Sequence, residues 1–172
     1  DDAGNNLGSI SILFLNSDGT IKSQQKISVA EGAANTALDV GDGEQFGFSA
    51  TAIGDINGDG VTDLAVGANK DAGTEGAVWI LLLNADGTVK NARRIYTGSG
   101  DFGASLSTND FFGDSLAFLG DINGDGREEL VVVTADKPDL MEVTAAVQFV
   151  ADMFHQIGID RSPCNFYCVS KR

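Results

Sequence analysis

The sequence of 172 residues carries 25 acidic side chains against 11 basic ones and a single histidine, for a formal charge of −14. That balance argues against binding nucleic acid or an anionic membrane, which need clustered Lys and Arg. A hydrophobic content of 42% argues against a disordered acidic tail. Twenty-two glycines with only two prolines and two cysteines point to many tight turns rather than stiff linkers or a disulfide scaffold.

A compact chain of this length is enough for one or two small domains. No apolar run approaches the roughly 20 residues of a spanning helix, so no membrane insertion is expected, and no signal-peptide pattern opens the chain.

The first predicted element is a strand over Ile10–Leu15, ending in Asn16-Ser-Asp-Gly19, a hairpin turn signal. Residues 21–29 follow with Lys22 and Lys26, and charged side chains of this kind guard an outer strand against edge-to-edge aggregation. Phe46-Gly47 opens the next strand. It leads into the acidic loop Asp55-Ile-Asn-Gly-Asp-Gly60 and a short apolar run at 64–66. A second apolar run, Ala77–Leu83, ends in Asn84-Ala-Asp-Gly87, and residues 89–96 form another charged outer strand with Lys90, Arg93 and Arg94.

The series then starts again. Phe112-Gly113 and Asp121-Ile-Asn-Gly-Asp-Gly126 repeat the earlier blocks 66 residues on, and Ile80-Leu-Leu-Leu-Asn-Ala-Asp-Gly-Thr88 repeats Ile12-Leu-Phe-Leu-Asn-Ser-Asp-Gly-Thr20 68 residues on. The apolar run at 130–133 matches that at 64–66.

Unbroken apolar runs mean strands covered on both faces, whereas a strand with one wet face should alternate. Each unit therefore reads as a four-stranded antiparallel sheet stacked between similar sheets, the geometry of a β-propeller blade, with a two-sheet sandwich as the competing architecture. The expected fold is mainly β, with about two blades' worth of strands over residues 1–135.

In the first acidic loop, side-chain oxygens fall at positions 1, 3, 5 and 9 (Asp55, Asn57, Asp59 and Asp63), and Val61 at position 7 offers its carbonyl. The second loop supplies Asp121, Asn123, Asp125, the Arg127 carbonyl and Glu129, whose extra methylene suggests a different or weaker mode of binding. Hard oxygens at alternate positions of a tightly curled loop suit calcium, and magnesium, which keeps its waters, fits less well. Two calcium sites are expected. An EF-hand would need an acid at position 12, where this chain has Val66 and Val132, and flanking helices where strands are expected. The plain alternative is a glycine-rich Asx turn without metal, which two copies in register with the repeat disfavour.

Phe46-Gly47, the segment Gly54-Asp-Ile-Asn-Gly-Asp-Gly-Val-Thr-Asp-Leu64, and Val66-Gly-Ala68 together resemble the FG-GAP repeat of integrin α-subunit propellers and related bacterial surface proteins. The second copy matches from Phe112-Gly113 through Leu130, so the resemblance covers roughly residues 1–135. It implies propeller blades, calcium between the first two strands of a blade, and a part in adhesion or extracellular recognition. Such propellers have seven blades, and this sequence holds about two. A fragment or small modular protein, an assembly of copies, and a non-propeller packing all accommodate that, the first being favoured.

Residues 136–172 depart from the repeat. Asp139-Leu-Met-Glu142 resembles a capping box, and Leu140, Val143, Val147, Val150, Phe154 and Ile157 recur at helical spacing up to Gly158. The reading is an amphipathic helix that caps the last β surface, with a dimerisation or partner helix as the sharper alternative. Cys164 and Cys168 leave a disulfide open, and zinc with His155 lacks a fourth ligand. The sequence contains no nucleophile elbow, His-Glu-x-x-His or phosphate-binding loop, so no enzymatic activity is expected.

The expected function is a calcium-binding, non-catalytic recognition or adhesion module, secreted or at the cell surface, with a protein or glycan ligand. The alternatives are an accessory propeller piece of a larger secreted hydrolase or lyase, and a self-assembling unit.

Overall fold

Three antiparallel sheets succeed one another along the chain, with two, four and two strands, as seen in a computed structural model that describes residues 7–28, 38, 40–41, 43–99 and 102–134. The contacts divide the chain into Asp1–Lys137 and Pro138–Arg172, and every described residue belongs to the first unit. The predicted C-terminal helix, His155 and both cysteines lie outside the described residues.

The first sheet pairs β1 (Ile10–Leu15) with β2 (Ile21–Ile27). The central sheet holds β3 (Phe46–Ala52), β4 (Leu64–Ala68), β5 (Ala77–Leu83) and β6 (Val89–Ile95) in that order. A short turn, α1 (Asp71–Thr74), with Ala72 and Gly73 in the left-handed region, joins β4 to β5. The last sheet pairs β7 (Ser115–Gly120) with β8 (Glu129–Val133). The central sheet is thus one whole blade in the predicted order. The sheet before it matches a blade's last two strands and the sheet after it a blade's first two, which makes two blades' worth of strands.

Both turns predicted from Asn-x-Asp-Gly form, with the same bonds. Gly19 and Gly87 take φ near +80 and donate N–H bonds to the Asn16 and Asn84 carbonyls. The Asp18 and Asp86 carboxylates accept from the hydroxyl and amide of Thr20 and Thr88, which holds both carboxyls below the usual carboxylate range.

The apolar runs of β4 and β5 are buried on both faces, as their unbroken patterns require. Val66, Ala68, Trp79, Leu81 and Leu83 turn to one side and pack with Phe46, Ile27 and, from β1, Ile10 and Ile12. Ala65 and Val78 turn to the other side and pack with Phe112 and with Leu116, Leu130 and Val132 of the last sheet. Full burial of one such aliphatic or aromatic side chain contributes about 1.5–3 kcal/mol, so these two clusters carry the stacking.

The similar run in β1 behaves differently: its burial alternates, and Leu13 and Leu15 are 48% and 59% exposed. The physical reason lies in its setting. Among the described residues β1 has the central sheet on one face only, whereas β5 has a neighbouring sheet on each.

The joints between sheets are made of backbone. The Phe46 amide donates to the Leu7 carbonyl at 3.0 Å, and the Phe112 amide to the Glu75 carbonyl at 2.9 Å. The adjoining glycines, Gly8 and Gly76, bridge to Phe46 and Phe112 in the same way. Both glycines have positive φ, and a Cβ at either would run into the backbone of the phenylalanine it faces. At Gly47 and Gly113 a Cβ would meet the Ser9 carbonyl oxygen at 2.7 Å and the Ala77 carbonyl oxygen at 2.6 Å. Phe-Gly is therefore the point where one sheet is seated on the next, the ring filling the core and the glycine admitting the neighbouring chain.

At the end of the blade remote from the acidic loops, Asp71 of α1 is fully buried and paired with Arg94 of β6. The Arg94 guanidinium also lies over the rings of Tyr96 and Trp79, 4.6 and 5.9 Å from their centres. Burial pushes the Asp71 carboxyl above its ordinary value, and the Arg94 guanidinium only partly opposes this. A carboxyl raised in the folded state contributes stability at low pH that is lost as pH rises through its folded value.

Arg94→Met, which strands a buried charge, should cost roughly 3 kcal/mol at pH 7. The deficit relative to the unaltered chain should shrink on acidification, because protonation of Asp71 removes the unpaired charge. Urea denaturation of both chains at neutral and mildly acidic pH measures it, and an equal deficit at the two pH values would refute it.

Candidate metal centre

Each acidic loop spans two adjacent antiparallel strands, the first between β3 and β4 and the second between β7 and β8. The neck of the first is closed by two backbone bonds, from the Ile53 amide to the Asp63 carbonyl and from the Asp63 amide to the Gly54 carbonyl, at 2.9 and 2.7 Å. Between these, Gly58 and Gly60 take positive φ, as Gly124 and Gly126 do in the second loop. Positions 4 and 6 of each loop thus both hold a left-handed backbone conformation that suits glycine.

The two loops share one set of bonds. Asp55 accepts from the amides of Gly58, Asp59 and Gly60, and Asp121 from those of Gly124, Asp125 and Gly126, at 2.7–3.1 Å. Asn57 Oδ1 accepts from the Asp59 amide and Asn123 Oδ1 from the Asp125 amide. Asp59 Oδ1 and Asp125 Oδ1 accept from the amides of Val61 and Arg127.

At position 9, one oxygen of Asp63 accepts from the Ile56 amide at 3.2 Å, and one oxygen of Glu129 from the Ile122 amide at 2.8 Å. Both acids also receive the position-3 asparagine amide at 3.4 Å. The extra methylene of Glu129 is thus absorbed without losing either contact. Asp63 does one thing more: it is fully buried, and its Oδ1 accepts from the Leu83 amide at 3.0 Å, tying the loop to the end of β5.

Whether these donors fit a divalent ion follows from their remaining lone pairs. A carboxylate or amide oxygen accepts two hydrogen bonds. Asp55 Oδ2, Asn57 Oδ1, Asp59 Oδ1 and Asp63 Oδ1 each receive one bond from the loop or from β5, and the Val61 carbonyl adds a fifth oxygen. The donor set is all hard oxygen, which fits calcium, with water left to complete a coordination number of six to eight. Carboxylates alone do not form the cluster: among the described residues no three His, Cys, Asp or Glu side chains are gathered closely enough to hold a metal. The mixed set with Asn57 and Val61 is needed.

One cation of the protein already stands at the first loop. Lys90 of β6 donates to Asp59 Oδ2 at 2.8 Å. This bond, with the charge of the ammonium group, holds the Asp59 carboxyl below its ordinary value. The same bond raises Lys90, with Asp63 and Asp55 adding to the effect through their charge. The sequence reading had placed Lys90 and Arg94 only as edge-strand charges. Both lie on the edge strand β6, and both also reach back across the sheet to an aspartate, an engagement no local pattern announces.

The FG-GAP repeat family model matches residues 46–81, the span of β3, the first loop, β4 and most of β5. The chain is an integrin-like FG-GAP repeat protein. It is 33% identical to integrin alpha-4 of Xenopus laevis over 100 residues, which cover 57% of this chain and 9% of the relative. Identity to integrin alpha-2 of Mus musculus is 34% over 122 residues, covering 70% of this chain and 9% of that protein. For integrin alpha-PS5 of Drosophila melanogaster it is 37% over 94 residues, covering 52% and 8%. The chain therefore spans about a tenth of the length of these relatives. In the FG-GAP unit the Phe and first Gly make the inter-sheet joint, and Gly67 of Val66-Gly-Ala68 lies where a Cβ would strike the Gly113 carbonyl. The motif records close backbone approach as well as a candidate metal loop.

Proposed function

We propose that the chain is a calcium-stabilised, non-catalytic recognition or adhesion module that acts outside the cell, at a surface or in the medium. The observation that carries this reading is the recurrence of one nine-residue loop, with the same backbone amides bonded to the oxygens at positions 1, 3, 5 and 9, at the same place in two successive blade sheets of an integrin-like repeat protein. In the first loop Asp55, Asn57, Asp59, Asp63 and the Val61 carbonyl would hold the ion; in the second, Asp121, Asn123, Asp125, Glu129 and the Arg127 carbonyl. Bound calcium supplies positive charge that cancels the repulsion among the loop carboxylates. The chain's own part is to hold those oxygens on closed strand ends, so that ordering the loop also fixes the register of the strand pair. A protein or glycan is the kind of ligand such a module would take.

Calcium that binds only the folded state stabilises it by RT ln(1 + [L]/Kd), about 1.4 kcal/mol per site at tenfold excess over Kd. Thermal unfolding in chelator and in millimolar calcium should differ by several degrees. The difference should fall by half or more when Asp121 and Asp125 are replaced by Asn. Superimposable curves would refute a structural ion. A glycan and matrix-protein array read with and without chelator then tests recognition, which should be lost with the ion.

A further inference from the structure

Lys90 is the second residue of β6, directly after the turn that follows β5, and the antiparallel course of the sheet returns it to the mouth of the first loop. Its ammonium group contacts the carboxylate at position 5, Asp59, 31 residues away. The two side chains are 51% and 25% exposed, so both are open to solvent and to ions. The second loop has carboxylates at the same positions, Glu129 standing where the first has Asp63, and accepts the same backbone bonds, yet among the described residues no ion pair reaches Asp125.

We propose that Lys90 is a built-in competitor for the divalent ion at the first loop, its ammonium contending with calcium for the Asp59 carboxylate. The proposal rests on the calcium reading above. A single positive charge at Asp59 relieves part of the repulsion among Asp55, Asp59 and Asp63, so the first loop stays ordered when calcium is scarce. Calcium held through Asp59 Oδ1 would sit a few ångströms from the ammonium on Oδ2 of the same carboxylate, and the repulsion between them makes the first loop bind calcium more weakly than its oxygens alone would. Among the described residues the second loop meets no such cation. The two sites would then fill over different calcium ranges, the second before the first if their oxygens are otherwise matched.

Placing a divalent ion near a solvated ammonium, and drawing on the carboxylate that ammonium already holds, should weaken binding roughly threefold to tenfold at physiological salt. A calcium titration of the full chain followed by amide NMR separates the sites, with Gly60 reporting on the first loop and Gly126 on the second. In Lys90→Gln the Gly60 midpoint should fall by that factor while the Gly126 midpoint stays put. Lys90→Arg, which keeps the charge, should leave both midpoints unchanged. In chelator, Lys90→Gln should melt a few degrees below the unaltered chain.

A Gly60 midpoint unmoved by Lys90→Gln, or moved equally by both variants, would overturn the competitor role and leave the calcium reading standing. Gly60 and Gly126 unresponsive in every chain up to about 10 mM calcium, beyond the weakest extracellular sites, would overturn both.

Discussion

Gly76→Ala should cost more than about 3 kcal/mol and leave little folded chain at 37 °C, because two separate penalties meet at that position. An alanine held at φ near +89 pays about 1–2 kcal/mol for the left-handed backbone alone. Its Cβ would also overlap the backbone nitrogen and oxygen of Phe112 and stand 2.9 Å from the Phe111 carbonyl carbon. Backbone cannot turn aside as a side chain can, so the joint between β5 and the last sheet must open, exposing Phe112 and Val78. Gly98→Ala is the control. Gly98 has φ +85 with nothing within 4 Å of a built Cβ, so its loss should stay near the conformational penalty. Urea midpoints for the two variants decide the matter, and equal losses would show that crowding at the joint contributes nothing.

Asp63→Asn should destabilise the chain by about 2–3 kcal/mol even in chelator. The two carboxylate oxygens accept from three donors: Leu83 N–H on one, Ile56 N–H and the Asn57 amide on the other. An asparagine offers one oxygen and one NH₂ group, so whichever way it turns, a buried N–H faces another donor. The Asn57 amide and Ile56 N–H should keep the oxygen between them, leaving the Leu83 amide orphaned. Hydrogen exchange at Leu83 should accelerate accordingly, while exchange at Leu81 in mid-strand should change less. A loss that appeared only when calcium was present would instead confine Asp63 to a ligand role.

Much of the blade was readable from short-range chemistry. The Asn-x-Asp-Gly turns, the unbroken runs of β4 and β5 and the two copies of the acidic loop each dictate their own conformation, and the repeat fixed their order. What escaped the reading is what depends on the neighbouring sheet. β1 carries nearly the same apolar run as β5 but, among the described residues, has company on one face only, which composition cannot tell. Gly8 and Gly76 share the 68-residue offset of the hairpins that follow them, and that signal could have marked them as a second conserved-geometry pair within the chain. Asp71 and Arg94 gave no such signal, being 23 residues apart with ordinary surface-type side chains. For the candidate site, the donor residues and their positions were visible in sequence. The counter-charge of Lys90 and the anchoring of Asp63 to β5 were not, because both run from the loop to strands reached only after the chain has turned back.

The seams at Gly8–Phe46 and Gly76–Phe112 join main chain to main chain. The pitch from one sheet to its successor is therefore held at the seam by backbone, beside the apolar clusters that fill the broad faces between them. Buried side chains on those faces can exchange for other apolar ones of similar size while the stacking interval is preserved. An array built on such seams can lengthen by copying a unit and then let each copy acquire its own surface.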